Sequence, residues 1–340
     1  MLRVRFAGNS RLAVDDVPIP DVRHGEVLVK VGASAICGSE MKTFRAPEGM
    51  PTNPGHEIVG EVVDNPGRRG PDVGDRVAIN IITGCGHCTT CLSGDRRFCA
   101  EQGYVRSGHA EYVAVPAVCC MPLPNEVSFE EGVLIGGDTL GVAAHTLGKV
   151  RIAPQNTVAV VGCGPVGLGF VTLLNFLGIR TIAAEVSPYR RELARQIGAA
   201  DTVDPSNGDG LAAIQELTQG RGVDISIDAS GSDAGVNLAL NATRKQGTFI
   251  FAGAGHGAAI NPWRQFLEKE VVAYGVWYFV DSDYFRLLDL FRNGLKVAPL
   301  ITHRFPLAEA SAAYDLLTRG ETGKVVFLPE EVASTDSKFA

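Results

Sequence analysis

No part of this 340-residue chain concentrates lysine and arginine; its densest basic pair of note is Arg190-Arg191, and the formal net charge is -7. Nucleic acid and anionic membrane surfaces are therefore excluded as main partners, because both reward clustered cations. An N-terminal signal core is missing as well: Met1-Leu2-Arg3-Val4-Arg5 has no apolar run, so a cytoplasmic location is expected. There is no internal repeat. Tryptophan is scarce, two residues against forty glycines, which favours tight turns and close backbone contacts. One apolar run, residues 158–179, has about the length of a membrane span. It holds five glycines and Pro165, so a buried strand, a glycine turn and a buried helix fit it better than a continuous spanning helix.

What is present fits a globular protein of about two domains, with 45% apolar and 20% charged residues. Residues 2–150 read as short apolar runs cut by turns. Residues 27–31, 58–63 and 76–79 are strand-like, and Asp72-Val73-Gly74-Asp75 forms a turn before the last. This part predicts a β-rich domain of irregular barrel type. From about Asn156 strands and helices alternate: strands at 157–161, 181–184, 223–227, 248–251 and 271–274, helices at 165–177 and 188–197. That alternation predicts a doubly wound parallel sheet, hence an α/β protein. Residues 285–291 have helical apolar spacing. Residues 300–305 and 324–327 read as strands returning to the first domain, and the tail past Pro329 is polar. The expected organisation is 1–150, 151–292 and 293–340.

Gly162-Cys163-Gly164-Pro165-Val166-Gly167 is a G-x-G-x-x-G directly after a β-branched strand and at the start of an apolar helix. Gly162 allows the tight turn, Gly164 admits a pyrophosphate, and Gly167 permits close packing of helix on strand. The helix N-terminus offers free N–H groups to the phosphates. Glu185 ends the next strand, where a carboxylate accepts from ribose hydroxyls and repels a 2′-phosphate. NAD is thus favoured over NADP. Arg190 is placed to close over the adenosine side.

Eight cysteines occur, four of them as Cys85-x2-Cys88-x2-Cys91-x7-Cys99. In a reducing compartment such crowding points to metal before disulfide. Four thiolates around one zinc leave no open position, which makes a structural site. On thiol count alone an iron–sulfur cluster is the rival.

Ile36-Cys37-Gly38-Ser39-Glu40, Pro54-Gly55-His56-Glu57, Val73-Gly74-Asp75-Arg76-Val77, the cysteine lobe and the glycine turn follow one another in that order. Together they resemble the zinc-containing alcohol, sorbitol and threonine dehydrogenases of the medium-chain family, over nearly the whole chain. The resemblance implies a GroES-like catalytic domain, a Rossmann domain and an active site in the cleft between them. It implies Cys37 and His56 as catalytic zinc ligands, with Glu57 as a neighbouring ligand. Ser39 matches the hydroxyl that passes the substrate proton outward. Two bound zinc ions, one structural and one catalytic, and NAD are expected, with an alcohol or polyol as substrate, a ketone in reverse, and a homodimer or homotetramer as the assembly.

Two departures bear on this. Gly136 occupies the slot of a further zinc ligand and offers no donor atom, while Asp138 lies two residues along, about 200° around a helix. Glu57 is the preferred completion of the ligand set. The alternatives are another register that brings in Asp138, or no catalytic zinc. The last makes the chain a carbonyl or double-bond reductase of the same fold, and a non-catalytic NAD-binding protein is the reading from a different class. The second departure is Lys42, which stands where the family has a relay histidine. His109 and His145 border the cleft by resemblance but read as packing histidines. His256 follows a sheet strand near the expected nicotinamide. Trp277, Tyr278 and Phe279 serve either an interface or the substrate.

Overall fold

The computed structural model describes residues 1–329 other than Arg69 and His256; His256 and the tail past Pro329 therefore lie outside the described residues. A seven-stranded sheet forms the first layer system. Its order is Ile301–Phe305, Lys324–Phe327, Glu26–Ala35, Glu57–Asp64, Arg76–Ile79, Cys120–Pro122, and Tyr112–Pro116 also pairs with Glu26–Ala35. The late strands thus return to the first domain, with Val326 opposite Ala35.

The second sheet has six parallel strands in the order Asp201–Val203, Arg180–Ala184, Thr157–Val161, Val223–Asp228, Thr243–Phe251, Val272–Gly275. Every residue of Thr157–Val161 is buried, as a strand covered by helices on both faces requires, and this explains its unbroken apolar run. The chain winds outward from that strand in both directions. The crevice beyond its C-terminal end is therefore the switch point at which open α/β sheets bind ligands.

The apolar run that equals a membrane span in length divides into the strand Thr157–Val161 and the helix Pro165–Phe176. Among the described residues no helix is long and apolar enough to cross a membrane. Gly162 takes φ +90, and a Cβ there would come within 2.7 Å of the Ser230 backbone. Pro165 opens the helix at a position whose N–H has no helical partner to lose. The next helix, Pro188–Ile197, starts on the Ser187 side chain, which accepts from the Arg190 amide, and stops at Gly198.

One local departure from the sequence reading matters for the site. Residues 129–149 form two helices, Phe129–Ile135 and Asp138–Lys149. Ser128 and Glu131 cap the first reciprocally. Gly136 ends it and Gly137, extended at φ -120 and ψ -178, begins the second. A Cβ at Gly137 would meet the Val133 carbonyl oxygen at 2.5 Å, so the break is built on glycine. The angular separation of a continuous helix does not apply across it.

Candidate active site

Cys37 follows the strand Glu26–Ala35, His56 leads into Glu57–Asp64, and Asp138 is the first residue of its helix. One potential ligand atom from each lies within 4.8 Å of the other two. The Asp138 Oδ2 atom is 3.7 Å from Cys37 Sγ and 3.5 Å from His56 Nε2. His56 Nδ1 sits 2.9 Å from the Pro54 carbonyl oxygen, an acceptor that favours the proton on Nδ1 and leaves Nε2 to a cation. The Ser39 hydroxyl donates to Cys37 Sγ at 3.2 Å.

The charge balance of this cluster calls for a cation. Asp138 Oδ1 is buried without a hydrogen-bond partner, a costly state for a carboxylate oxygen. Burial disfavours the imidazolium of His56, yet Asp138 and Cys37 hold its pKa well above the ordinary histidine range.

Glu57, preferred from sequence as the completing ligand, is turned away from this cluster. Its Oε1 accepts the Asp138 amide at 3.0 Å, and Oε2 forms an ion pair with Lys324. Both side chains are 1% exposed. Burial, opposed by Lys324, raises the Glu57 carboxyl to about 7. The residue set aside for its helical phase thus faces the cluster, because the Gly136–Gly137 break resets that phase.

Behind the cluster lies a polar core that the sequence reading did not identify. Glu40 Oε1 accepts the Cys37 amide at 3.1 Å, Oε2 lies 3.0 Å from His109 Nε2, and the Tyr314 hydroxyl donates to Oε2. Burial opposes ionisation of Glu40, but His109, His56 and Tyr314 hold its carboxyl down at about 2. The only signal was Glu40 three residues after Cys37, the spacing at which a carboxylate reaches back to the first amide of a turn. His109, fully buried and bonded to Ser34 as well, is a packing and positioning group. His145 bridges Asp283 at 2.7 Å and Arg97 at 2.9 Å. Lys42 is exposed and is not among the residues that line the cavity.

One cavity of about 790 Å³ joins the cluster to the glycine turn. Cys37, Ser39, His56, Glu57 and Asp138 line it from one half of the chain. Gly162, Gly164, Pro165, Val166, Glu185 and Arg190 line it from the other. Nothing would touch a Cβ at Gly164, so the turn is open on that side, whereas at Gly167 a Cβ would lie 1.9 Å from the Gly162 carbonyl oxygen. Gly167 packs helix on strand and Gly164 faces free space. The Glu185 carboxylate is fastened to the turn, accepting from the amides of Cys163 at 2.6 Å and Ser187 at 2.9 Å. Arg190 Nε donates to the Thr322 carbonyl at 2.9 Å, which fixes the guanidinium at the cavity wall. Trp277 and Tyr278 line the cavity too, while Phe279 is buried against Gly141.

The sulfur atoms of Cys85, Cys88, Cys91 and Cys99 lie within 4.8 Å of one another. Cys99 Sγ accepts from the amides of Cys85 and Glu101 at 3.3 and 3.4 Å. The Thr90 hydroxyl draws Cys88 down to about 6. Cys91 is pushed up to about 12, for although the Gly86 amide favours its thiolate, burial and the neighbouring thiols oppose it. Four thiolates so close cannot coexist without a cation, and these donors fit one. Arg97, 4% exposed, carries the lobe to the cavity wall by donating to the Trp277 carbonyl at 2.6 Å.

Residues 23–125 match the family described as alcohol dehydrogenase GroES-like domain, and residues 165–293 match zinc-binding dehydrogenase. An L-threonine 3-dehydrogenase from Pseudoalteromonas translucida is 32% identical over 324 residues, 92% of this chain and 94% of that protein. The chain belongs to the zinc-type medium-chain dehydrogenases. The 2R,3R-butanediol dehydrogenase of Bacillus subtilis superposes with a TM-score of 0.84 at 27% identity, covering 97% of this chain and 99% of that one. An alcohol dehydrogenase from Escherichia coli CFT073, solved with NADH, gives 0.85 at 26% identity, covering 96% and 99%. As a medium-chain dehydrogenase the chain combines a GroES-like domain with a Rossmann-like parallel sheet, and it is an oxidoreductase of the kind that acts on CH–OH groups.

Proposed function

We propose that this dehydrogenase oxidises a secondary alcohol or polyol with NAD, and reduces the ketone in reverse, using one catalytic and one structural zinc ion. The observation that carries the reading is the convergence of Cys37, His56 and Asp138 on the cavity that also holds the glycine turn and Glu185. Cys37, His56 and Asp138 would hold the catalytic ion, and Cys85, Cys88, Cys91 and Cys99 the structural one. When bound, zinc supplies a Lewis acid for the alcohol oxygen and NAD supplies the hydride acceptor.

The chain's own residues do the rest. Ser39 Oγ, bonded to Cys37 Sγ and exposed to the cavity, accepts the substrate hydroxyl proton and hands it to solvent. Glu40 fixes the Cys37 backbone, and the Pro54 carbonyl fixes the His56 tautomer. Gly164 and the helix N-terminus receive the pyrophosphate, and Glu185 presents its free lone pairs to the adenine ribose. Against the reading without catalytic zinc, which rested on the missing donor at Gly136, the nearness of the Asp138 carboxylate to Cys37 and His56 supports a third ligand.

We also propose a cytoplasmic homodimer or homotetramer. The outer strand Val272–Gly275 supports an assembly: all four residues are exposed, and a free sheet edge is a template for pairing with a second chain. The decisive experiment measures zinc and turnover on one sample. Two zinc ions per chain and NAD-linked oxidation of secondary alcohols are expected. Cys37→Ala should lose one zinc and turnover while NADH affinity stays within about twofold. An unmodified enzyme that binds a single zinc yet remains active would refute the reading.

A further inference from the structure

We infer that Arg106 is the specificity-determining residue that reads an anionic group on the substrate, so that the alcohols this enzyme prefers carry a carboxylate. The inference rests on the reading of the cavity given under the proposed function.

Four carboxylates line the cavity, and each faces polar groups of the protein itself. Glu40 is bonded to Tyr314 and lies against His109, Glu57 pairs with Lys324, Asp138 faces Cys37 and His56, and Glu185 accepts two backbone amides. The lining cations divide differently. Lys324 is neutralised by Glu57, and Arg190 donates to the Thr322 carbonyl. Arg106 lines the same cavity, and among the described residues it has neither a hydrogen-bond acceptor nor an anionic partner; its guanidinium lies 5.8 Å from the centre of the Tyr104 ring. A guanidinium is planar, permanently charged and shaped for bidentate binding of a carboxylate. Exposed on the cavity wall, it is the lining cation that no hydrogen bond or ion pair within the described residues holds, and so the one left for an anionic ligand.

The backbone places Arg106 at the substrate end. The Val105 amide donates to the Ile81 carbonyl, Ser107 to Asn53, and Gly108 to Gly55. The segment is thereby laced to the turn that delivers His56. Ser107 takes φ +70, a left-handed conformation that a serine holds only at a cost. Its amide bond to Asn53 and its hydroxyl contact with Thr52 at 2.5 Å hold it there. Trp277 and Tyr104 offer flat apolar walls for the small carbon skeleton between carbinol and carboxylate.

The test compares matched substrate pairs, 3-hydroxybutyrate with 3-hydroxybutyramide and L-threonine with L-threoninamide, with 2,3-butanediol as the uncharged reference. The wild-type enzyme should favour the acid in at least one pair by kcat/KM. Arg106→Met should cut that acid-to-amide ratio roughly tenfold or more, through KM, since a charge-assisted hydrogen bond is at stake. Arg106→Lys should recover part of the ratio by charge alone. Dead-end binding of 3-hydroxybutyrate to the NADH-loaded enzyme, followed by calorimetry, gives a readout independent of turnover and should weaken in the same order. Turnover of butanediol with no preference for either acid would overturn the inference and leave the proposed function standing. Acid binding that depends on Arg106 in an enzyme that turns over no alcohol would do the reverse. A rise in the NADH dissociation constant of Arg106→Met, with the ratio unchanged, would assign the guanidinium to the cofactor and sink the proposal.

Discussion

Asp138 gives its backbone amide to the Glu57 carboxylate at 3.0 Å while its own carboxylate turns toward Cys37 and His56. One residue orients the other: Glu57 locks the first turn of the helix Asp138–Lys149, and that lock aims the Asp138 side chain. The two carboxylates therefore differ in role although both stand beside His56. Asp138→Asn keeps the shape and the amide but removes the anionic donor. We expect loss of one zinc per chain and a fall in kcat/KM of about 100-fold or more, since disturbing even an outer partner of a metal ligand costs roughly 10–100-fold. Glu57→Gln should retain zinc better than Asp138→Asn. Metal analysis of both variants checks the order, and equal loss from the two would contradict it.

Lys324 and Glu57 form an ion pair with both side chains 1% exposed. Breaking such a pair from one side strands the other charge and typically costs about 3–5 kcal/mol, whereas replacing both is often close to neutral. Lys324→Met should be strongly destabilising at pH 8. At pH 6 the loss should be smaller, because burial already raises Glu57 to about 7 and the carboxyl can neutralise by protonation. Lys324→Met with Glu57→Leu should recover much of the loss. Denaturant titration of the single and double variants at the two pH values measures the coupling, and additive losses would argue against it.

Much of the fold was legible because burial dictates residue type. The strand Thr157–Val161 is covered on both faces and reads as an unbroken apolar run, and the glycine turn after it admits few alternatives. Cys37, His56 and the four-cysteine lobe were legible by spacing and order. Asp138 was misplaced because a helical phase was carried across Gly136–Gly137, where the chain breaks. Lys324 escaped notice because a lysine at the start of a strand reads as a solvated end, and its partner lies 267 positions earlier. Arg106 left no pattern at all; only its lack of a partner, a property of the folded cavity, distinguishes it.

Asp283 links pH to the seam between the lobe and the sheet. Burial favours its neutral form, but His145, the Val280 amide and Arg286 hold its carboxyl below the usual aspartate range. Its folded pKa is thus depressed relative to the unfolded chain, so its contribution is fully present above about pH 4 and is lost as the pH falls through the carboxylate range. Asp283→Asn should cost about 1.5–3 kcal/mol at pH 7, the usual worth of hydrogen bonds to a charged group. The gap from wild type should narrow as the pH approaches 3. Chemical denaturation at a series of pH values tests this, and a constant gap would show that the charge is not the cause.

On the proposed reading Glu185 would set the cofactor preference, by a charge whose orientation is already fixed. The amides of Cys163 and Ser187 each hold one of its carboxylate oxygens, so the group cannot swing aside for a phosphate. A 2′-phosphate on the adenine ribose would bring two anions together at the cavity wall, with Arg190 tied to the Thr322 carbonyl. Glu185→Ser removes the repulsion and keeps a hydroxyl for the ribose. The NADP-to-NAD ratio of kcat/KM should rise about tenfold or more, mostly through KM, in line with a carboxylate that both binds the 2′-hydroxyl and rejects its phosphate. Because the two amides lose their acceptor, the turn should also loosen, and NAD should bind more weakly in the same variant. Steady-state kinetics with both cofactors separates these effects. A wild-type enzyme that already prefers NADP would remove the basis for the assignment.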